Sequence, residues 1–346
     1  MLNEKTMKKT LTTAFIQTRI LGRFHGSFRA FSTPSEVVKS SRPLFEIPTS
    51  GIEEDGKEFE KQASTLAAFF KGEKRVLVIT GAGLSTESGI PDYRSPDGSY
   101  SRGHKPILHS EFVTDTVGRK RYWARSIIGY AWFDAAEPNI GHKALEKLTR
   151  RGVVGDIITQ NVDSLHYKSG TRDVIELHGT NRSCECLSCG FVEPRPDFQD
   201  RIRELNKSWI ERYLPTNFKH SDFRADGDAV LGDVDYSTFE IPGCLRCGDL
   251  GMMKPSVVFF GANLKPAVRQ RSMDAVRNAS KILMVGTSAQ VFSVYRLCLL
   301  AKELEKPLGI LNIGETRADP LASFKIEGQC GSMLHKLASR VCQQNI

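Results

Sequence analysis

No stretch of about eighteen consecutive apolar residues occurs in this chain of 346 residues, so the sequence offers no helical membrane span. Internal repeats and low-complexity tracts are missing as well, which removes solenoids and collagen-like or mucin-like chains. With 40% apolar and 25% charged residues, the chain is too hydrophobic for disorder and long enough for a sizeable core. Acid is nearly absent from the start: residues 1–32 hold Lys5, Lys8, Lys9, Arg19, Arg23 and Arg29 against Glu4 alone, and supply most of the net charge of +8. That composition is that of a mitochondrial transit peptide, with Arg29-Ala30-Phe31-Ser32 offering a matrix-protease site. A basic tail is the other reading. On the first, the address is the mitochondrial matrix, and the basic balance does not call for a nucleic-acid partner.

What is present begins with an amphipathic helix over residues 56–71, whose Phe59, Ala63, Leu66, Ala67 and Phe70 share a face. A short apolar run over 75–80 follows and stops at Gly81-Ala-Gly83, as a buried parallel strand does. A second helix is expected over 138–151. Further strands are expected over 153–159, 257–260, 282–285 and 308–312, with helices over 265–279 and 292–305 between them. Strands alternating with helices imply an α/β fold with a Rossmann-like parallel sheet and helices on both faces. The expected division is a linker over 33–55, a nucleotide-binding domain in two parts (56–181 and 253–346), and an inserted module over 182–252. Within that module residues 191–241 read as an extended surface excursion.

The inserted module carries Cys186-x-x-Cys189 and Cys244-x-x-Cys247. Four soft thiolates in two knuckles suit a tetrahedral structural Zn²⁺, although the gap between pairs is longer than the common spacing of about 15–20 residues. Cys184 is a fifth thiol that leaves an alternative ligand. Glycines after a buried strand let the backbone turn tightly and approach a pyrophosphate. Alone, Gly81-Ala-Gly83 admits a nucleotide site or a plain turn, because Thr86 stands where a dehydrogenase fingerprint has its third glycine. Among the histidines, His104, His109, His142 and His166 read as structural or surface residues. His178 follows a short apolar run and precedes glycine, a place suited to proton removal beside a cofactor.

The continuation Gly81-Ala-Gly-Leu-Ser-Thr-Glu-Ser-Gly-Ile-Pro-Asp-Tyr-Arg-Ser95 strongly resembles the sirtuin family. So do Thr159-Gln-Asn-Val-Asp-Ser-Leu-His166, Glu176-Leu-His-Gly179, the cysteine pairs, Val257-Val-Phe-Phe-Gly261, Gly286-Thr-Ser288 and Leu311-Asn-Ile-Gly314, in family order over roughly residues 55–340. The resemblance implies that NAD is a co-substrate. Gly81, Ala82 and Gly83 then contact its phosphates with Thr86 close by, and Asp92, Tyr93 and Arg94 belong to a loop over the nicotinamide ribose. Gln160, Asn161 and Asp163 hold the end where the glycosidic bond breaks. Gly286, Thr287, Ser288, Asn312, Ile313, Gly314 and Cys330 surround the adenosine. His178 is the implied general base, with Asn161 the second catalytic residue. The acyl-lysine substrate meets Val258, Phe260 and Gly261. Nicotinamide, free lysine and O-acyl-ADP-ribose are the implied products, and acyl-lysine proteins, among them mitochondrial metabolic enzymes, the implied partners.

Arg121-Tyr-Trp-Ala-Arg125 and the long gap between cysteine pairs resemble the class II branch, which implies removal of lipoyl and other long or branched acyl groups, or protein ADP-ribosyl transfer. A non-catalytic NAD-binding regulator is the remaining alternative. Tyr122 and Arg125, three apart on a helix, share a face and are positioned to meet an acyl carboxylate. An arginine lying over an aromatic ring at the surface is the plainer reading.

Overall fold

The computed structural model describes residues 56–214, 219 and 222–343. The transit-peptide and linker readings, residues 1–32 and 33–55, lie outside the described residues.

Strand β1 (Val76–Thr80) is buried along its whole length. Its side chains alternate between two layers, as the strand period of two requires: Val76 and Val78 face one helical layer, Leu77 and Ile79 the other. Parallel pairing joins β1 to β2 (Val154–Thr159) on one side and to β7 (Ile282–Val285) on the other. With β3 (Ile175–Glu176), β8 (Leu308–Leu311) and β9 (Phe324–Ile326), the six-stranded order is β3-β2-β1-β7-β8-β9. The order reverses between β1 and β7, and a doubly wound sheet opens a ligand crevice at that point.

On the first face lie α1 (Lys57–Phe70), α4 (Ile140–Arg150) and α10 (Cys330–Gln343). Leu66, Leu145 and Leu337 interlock there with Val76, Val78 and Val154. Helix α4, at 11 residues, is too short to persist alone, so burial of Ala144, Leu145 and Leu148 holds it. The opposite face is covered by α8 (Pro266–Asn278) and α9 (Phe292–Glu303), through Ala275, Val276, Val294, Leu297 and Cys298. These elements match the α/β alternation expected from sequence to within a few residues.

A second core gathers α2 (His109–Thr114), α3 (Thr116–Ala135), α6 (Arg195–Leu205) and α7 (Lys207–Tyr213) against an antiparallel sheet ordered β5-β4-β6. Its strands are β4 (Gly179–Cys186), β5 (Val192–Pro194) and β6 (Met253–Val257). Trp123, Ile127, Phe198, Ile202, Trp209, Phe223 and Phe239 are its buried side chains. The expected surface excursion over 191–241 is therefore corrected, because this segment holds two helices and much of a core. Arg195 explains the misreading. It is wholly buried, its guanidinium over the Trp123 and Tyr130 rings at 5.0 and 4.5 Å and bonded to Ser126 Oγ at 3.0 Å. A buried cation looks polar in a hydropathy pattern. The strand expected over 257–260 is also displaced: pairing runs through Met253–Val257 and ends where Val258 donates to the His178 carbonyl at 2.7 Å.

Candidate active site

The β1–β7 crevice opens onto a cavity of about 1550 Å³ that reaches from residues 82–97 across to residues 312–315 and 257–264. Its glycine rim is packed to the backbone. A Cβ on Gly81 would sit 2.6 Å from Thr287 Cβ, and one on Gly83 would sit 2.9 Å from the Gly286 Cα. Gly286 itself has φ +58°, a left-handed conformation that favours glycine. Gly83 N–H donates to the Gly286 carbonyl at 2.9 Å, so the two loops are hydrogen-bonded across the strand reversal. Asn139 ties α4 to this loop, capping Gly141 N–H at 2.9 Å and donating to the Leu84 carbonyl at 2.7 Å.

Behind the loop lies a polar chain. Ser85 Oγ donates to Asp163 Oδ2 at 2.6 Å, and Asn161 Nδ2 donates to the Gly81 carbonyl and to Ser85 Oγ, each at 3.0 Å. Gln160 Nε2 reaches Thr287 Oγ1 at 2.7 Å. Burial raises the Asp163 carboxyl above its ordinary range, opposed by the hydrogen bonds from Ser85 and Leu165 N–H.

His178 stands between its two partners on the same cavity wall. Nδ1 is 3.2 Å from the Gln160 carbonyl, an acceptor only, so Nδ1 carries the proton. Nε2 is left as a lone pair, 2.8 Å from Ser293 Oγ, which donates to it. Burial holds the imidazole neutral by lowering its pKa to about 4. A neutral ring with an outward lone pair is what proton removal needs.

The remaining site residues expected from sequence fall as follows. Ala82, Thr86, Asp92, Tyr93, Arg94, Ser288, Asn312, Ile313, Gly314 and Cys330 line this cavity, as do Val258, Phe260 and Gly261. Thr86 Oγ1 bonds the Gly83 carbonyl at 3.0 Å. Asp92 Oδ1 accepts from the Arg94 and Ser95 N–H groups, at 2.9 and 2.8 Å, which folds its loop upon itself. Cys330 is buried, and burial pushes its thiol well above the ordinary range. Tyr122 reaches the cavity and packs edge-on to Phe112 and Phe259. Arg125 is not among the lining residues, and its guanidinium is held by Asp228 Oδ2 at 2.8 Å and the Ala229 carbonyl at 2.7 Å. Sequence reasoning missed Ser85 and Ser293, the hydroxyls bonded to Asp163 and His178. Serine is too common in turns for either to have stood out.

Cys186, Cys189, Cys244 and Cys247 bring their four sulfurs within 4.8 Å of one another. The Sγ separations of Cys186–Cys247 and Cys189–Cys244 are 3.5 and 3.7 Å. A tetrahedral Zn–S site with bonds of about 2.3 Å places its sulfurs about 3.8 Å apart, so the set fits one closed structural Zn²⁺. A Cβ on Gly251 would meet Cys247 Sγ at 2.7 Å, which explains the glycine beside the cluster. Cys184 is buried outside the set, and the choice of ligands is settled.

The Sir2 family model matches residues 81–293. The chain belongs to the Sir2 family. It is 42% identical to "NAD-dependent protein deacylase Sirt4" of Drosophila melanogaster, over 90% of this chain and 93% of that protein. It is 43% identical to "NAD-dependent protein lipoamidase sirtuin-4, mitochondrial" of Bos taurus, over 79% and 85%. A solved Sir2 structure with a p53 peptide and NAD+ superimposes with TM-score 0.59 at 26% identity, covering 85% of this chain and 98% of that one. Another Sir2 enzyme gives TM-score 0.65 at 29%, covering 83% and 100%. NAD is the co-substrate of a sirtuin, and the crevice of this one fits it, since Ala82, Gly83 and Gly286 line it at the strand reversal, where a doubly wound sheet receives a pyrophosphate.

Proposed function

We propose that this sirtuin is a protein-lysine deacylase of the mitochondrial matrix that removes lipoyl and other long or branched acyl groups, releasing nicotinamide and O-acyl-ADP-ribose. The observation that carries the reading is the His178 ring, neutral, with its Nε2 lone pair turned to a hydroxyl partner beside Asn161 and Asp163. A ribose hydroxyl that replaced Ser293 at Nε2 would give up its proton there, and the Gln160 carbonyl would hold the resulting imidazolium through Nδ1–H. Bound NAD supplies the ribose carbon to which the acyl oxygen transfers. Gly81, Ala82, Gly83 and Thr86 would receive its phosphates, Asp92, Tyr93 and Arg94 would cover the ribose, and Asn161 would orient the reacting end. Gly286, Thr287, Ser288, Asn312, Ile313, Gly314 and Cys330 would hold the adenosine. Volume supports the acyl reading: about 1550 Å³ exceeds the pocket of about 300–1,000 Å³ that a drug-sized ligand fills, which leaves room for a dinucleotide and an acyl chain. The names of the Sirt4 relatives support the acyl class and, for the bovine protein, the mitochondrial address. Mitochondrial metabolic enzymes bearing acyl-lysines are the proposed partners.

The test is to incubate the protein with NAD and acetyl-, lipoyl-, methylglutaryl- and succinyl-lysine peptides and to follow products by mass spectrometry. Free lysine and O-acyl-ADP-ribose are expected, with the largest kcat/KM for lipoyl, and both products vanish in His178→Ala. Mass added to a protein target with no lysine freed would instead establish ADP-ribosyl transfer.

A further inference from the structure

Segments 257–269 and 286–296 both contribute to the lining of the cavity, and the charged side chains they place in that lining, Arg269 and Arg296, are both positive. Their neighbours are neutralised. Lys265 is paired with Glu185 at 2.7 Å, Arg277 with Asp274 at 2.8 Å, and Arg271 donates to the Asp173 carbonyl at 2.8 Å. Among the described residues no carboxylate pairs with Arg269 or Arg296, and Arg296 lies over the Phe292 ring at 5.5 Å. The acids of the cavity lining stand on other segments, at positions 87, 92, 97, 163, 226 and 315. In the same segments, Phe260 and Phe292 remain 39% and 55% exposed, which marks this part of the lining as the mouth, while Ser293 and His178 meet further in.

We infer that this part of the lining is a docking surface for acidic protein segments, and that the enzyme selects acyl-lysines flanked by Asp or Glu. The inference rests on the deacylase reading for its substrate, and on charge complementarity for its selectivity: two unpaired guanidiniums disfavour a basic flank and attract carboxylates. At a solvent-exposed rim each ion pair changes affinity by about two- to fivefold, and salt screens it.

The experiment uses fluorescently labelled acyl-lysine peptides with acidic, neutral or basic flanks, with binding read by anisotropy and turnover by appearance of the deacylated peptide. Acidic peptides are expected to bind best at 50 mM salt, and the ranking to flatten at 0.5 M, both on the scale set by a Debye length of roughly 10 Å at 0.1 M. Arg269→Glu/Arg296→Glu is expected to reverse the ranking with the KM for NAD unchanged. Arg151→Glu/Lys302→Glu, the same charge change away from the cavity, is expected to keep it. Binding indifferent to flank charge overturns the inference, as does a rise in the KM for NAD with the ranking intact, which would make these arginines phosphate ligands. Charge-ranked binding without deacylated peptide would uphold the surface and sink the deacylase reading, and deacylation without ranking the reverse.

Discussion

Arg125 and Asp228 form an ion pair of 2.8 Å, with 23% and 12% of their side chains exposed. The pair is a brace. Burial and the neighbouring Asp226 raise the Asp228 carboxyl to about 7 even with Arg125 beside it. Removing the guanidinium leaves a buried acid offset only in part, by His104 and the Ala229 N–H among others, a change that costs about 3–5 kcal/mol in fully buried pairs and less here because both partners touch solvent. Arg125→Ala is expected to lower the melting temperature and to reduce kcat/KM for acetyl and acidic acyl peptides alike. A loss confined to acidic acyl groups would show instead that Arg125 reads the substrate directly.

Gly83→Ala tests the packing of the nucleotide crevice. The added methyl meets Gly286 Cα at 2.9 Å and the Gly286 carbonyl at 3.0 Å, both of them backbone atoms that cannot rotate aside. Overpacking of this kind costs about 1–3 kcal/mol. Calorimetric titration with ADP-ribose is expected to show at least a tenfold weaker affinity, and a thermal melt a less stable fold. Unchanged affinity would place the phosphates elsewhere.

His142 is wholly buried, and neither ring nitrogen has a hydrogen-bond partner among the described residues. It lies edge-on to His166, 5.1 Å between ring centres. Burial, and then the proximity of His166, lower its pKa well below 6.5. The unfolded chain therefore binds a proton that the folded chain refuses, and this histidine costs stability as pH falls below 6.5. His142→Leu is expected to be neutral or stabilising at pH 7.5, by about 1 kcal/mol, since it removes an unsatisfied polar group. Its advantage over the parent should widen toward pH 5. Urea denaturation at the two values checks this, and a constant difference would mean that the ring is already hydrogen-bonded.

Cys244→Ser is expected to abolish the one bound zinc per chain, while Cys184→Ala keeps it. Because Cys186 and Cys244 are part of the core with Trp123 and Phe198, metal loss should also disturb near-ultraviolet dichroism and lower the melting temperature. Zinc content by atomic emission, measured beside the melts, separates metal loss from misfolding. Retained zinc in Cys244→Ser would move the site.

The proposed role of His178 as base is tested through pH. His178 in the free enzyme is held at about 4, so the acid limb of kcat/KM should fall below pH 6.5, the ordinary value of an exposed imidazole. A limb centred near 6.5 would show that His178 is not the titrating group.

Sequence and structure agree best where burial is symmetrical. Strands β1, β7 and β8 have helices on both faces, so they read as unbroken apolar runs, and their bounds follow from hydropathy alone. Agreement fails where polar groups are buried by specific partners. In α6 the apolar signal comes from Phe198, Ile202 and an exposed Leu205, while Arg195 and Gln199 are buried beside the first two through contacts with Trp123 and Ile127. In β6 Lys254 is buried with its ammonium near Glu185 at 3.6 Å, and Pro255 pairs with Cys184, so a true strand reads as a turn. At the site, the motif residues were legible through their resemblance to the sirtuin family, since alone the glycines admitted a plain turn. The Arg125–Asp228 pair was not, since nothing at position 125 discloses an acid from a distant loop.

The strand reversal that opens the crevice has a consequence for how the enzyme comes into being. β1 and β7 stand about 200 residues apart along the chain, and closing so wide a loop is among the slowest contacts a folding domain makes. A growing chain that has finished its glycine loop and both cysteine pairs still lacks one side of the crevice, because Gly286 and Thr287 have yet to be synthesised. Nucleotide binding is therefore expected only of the completed sheet, and a carboxyl-terminal truncation before β7 is expected to lose it.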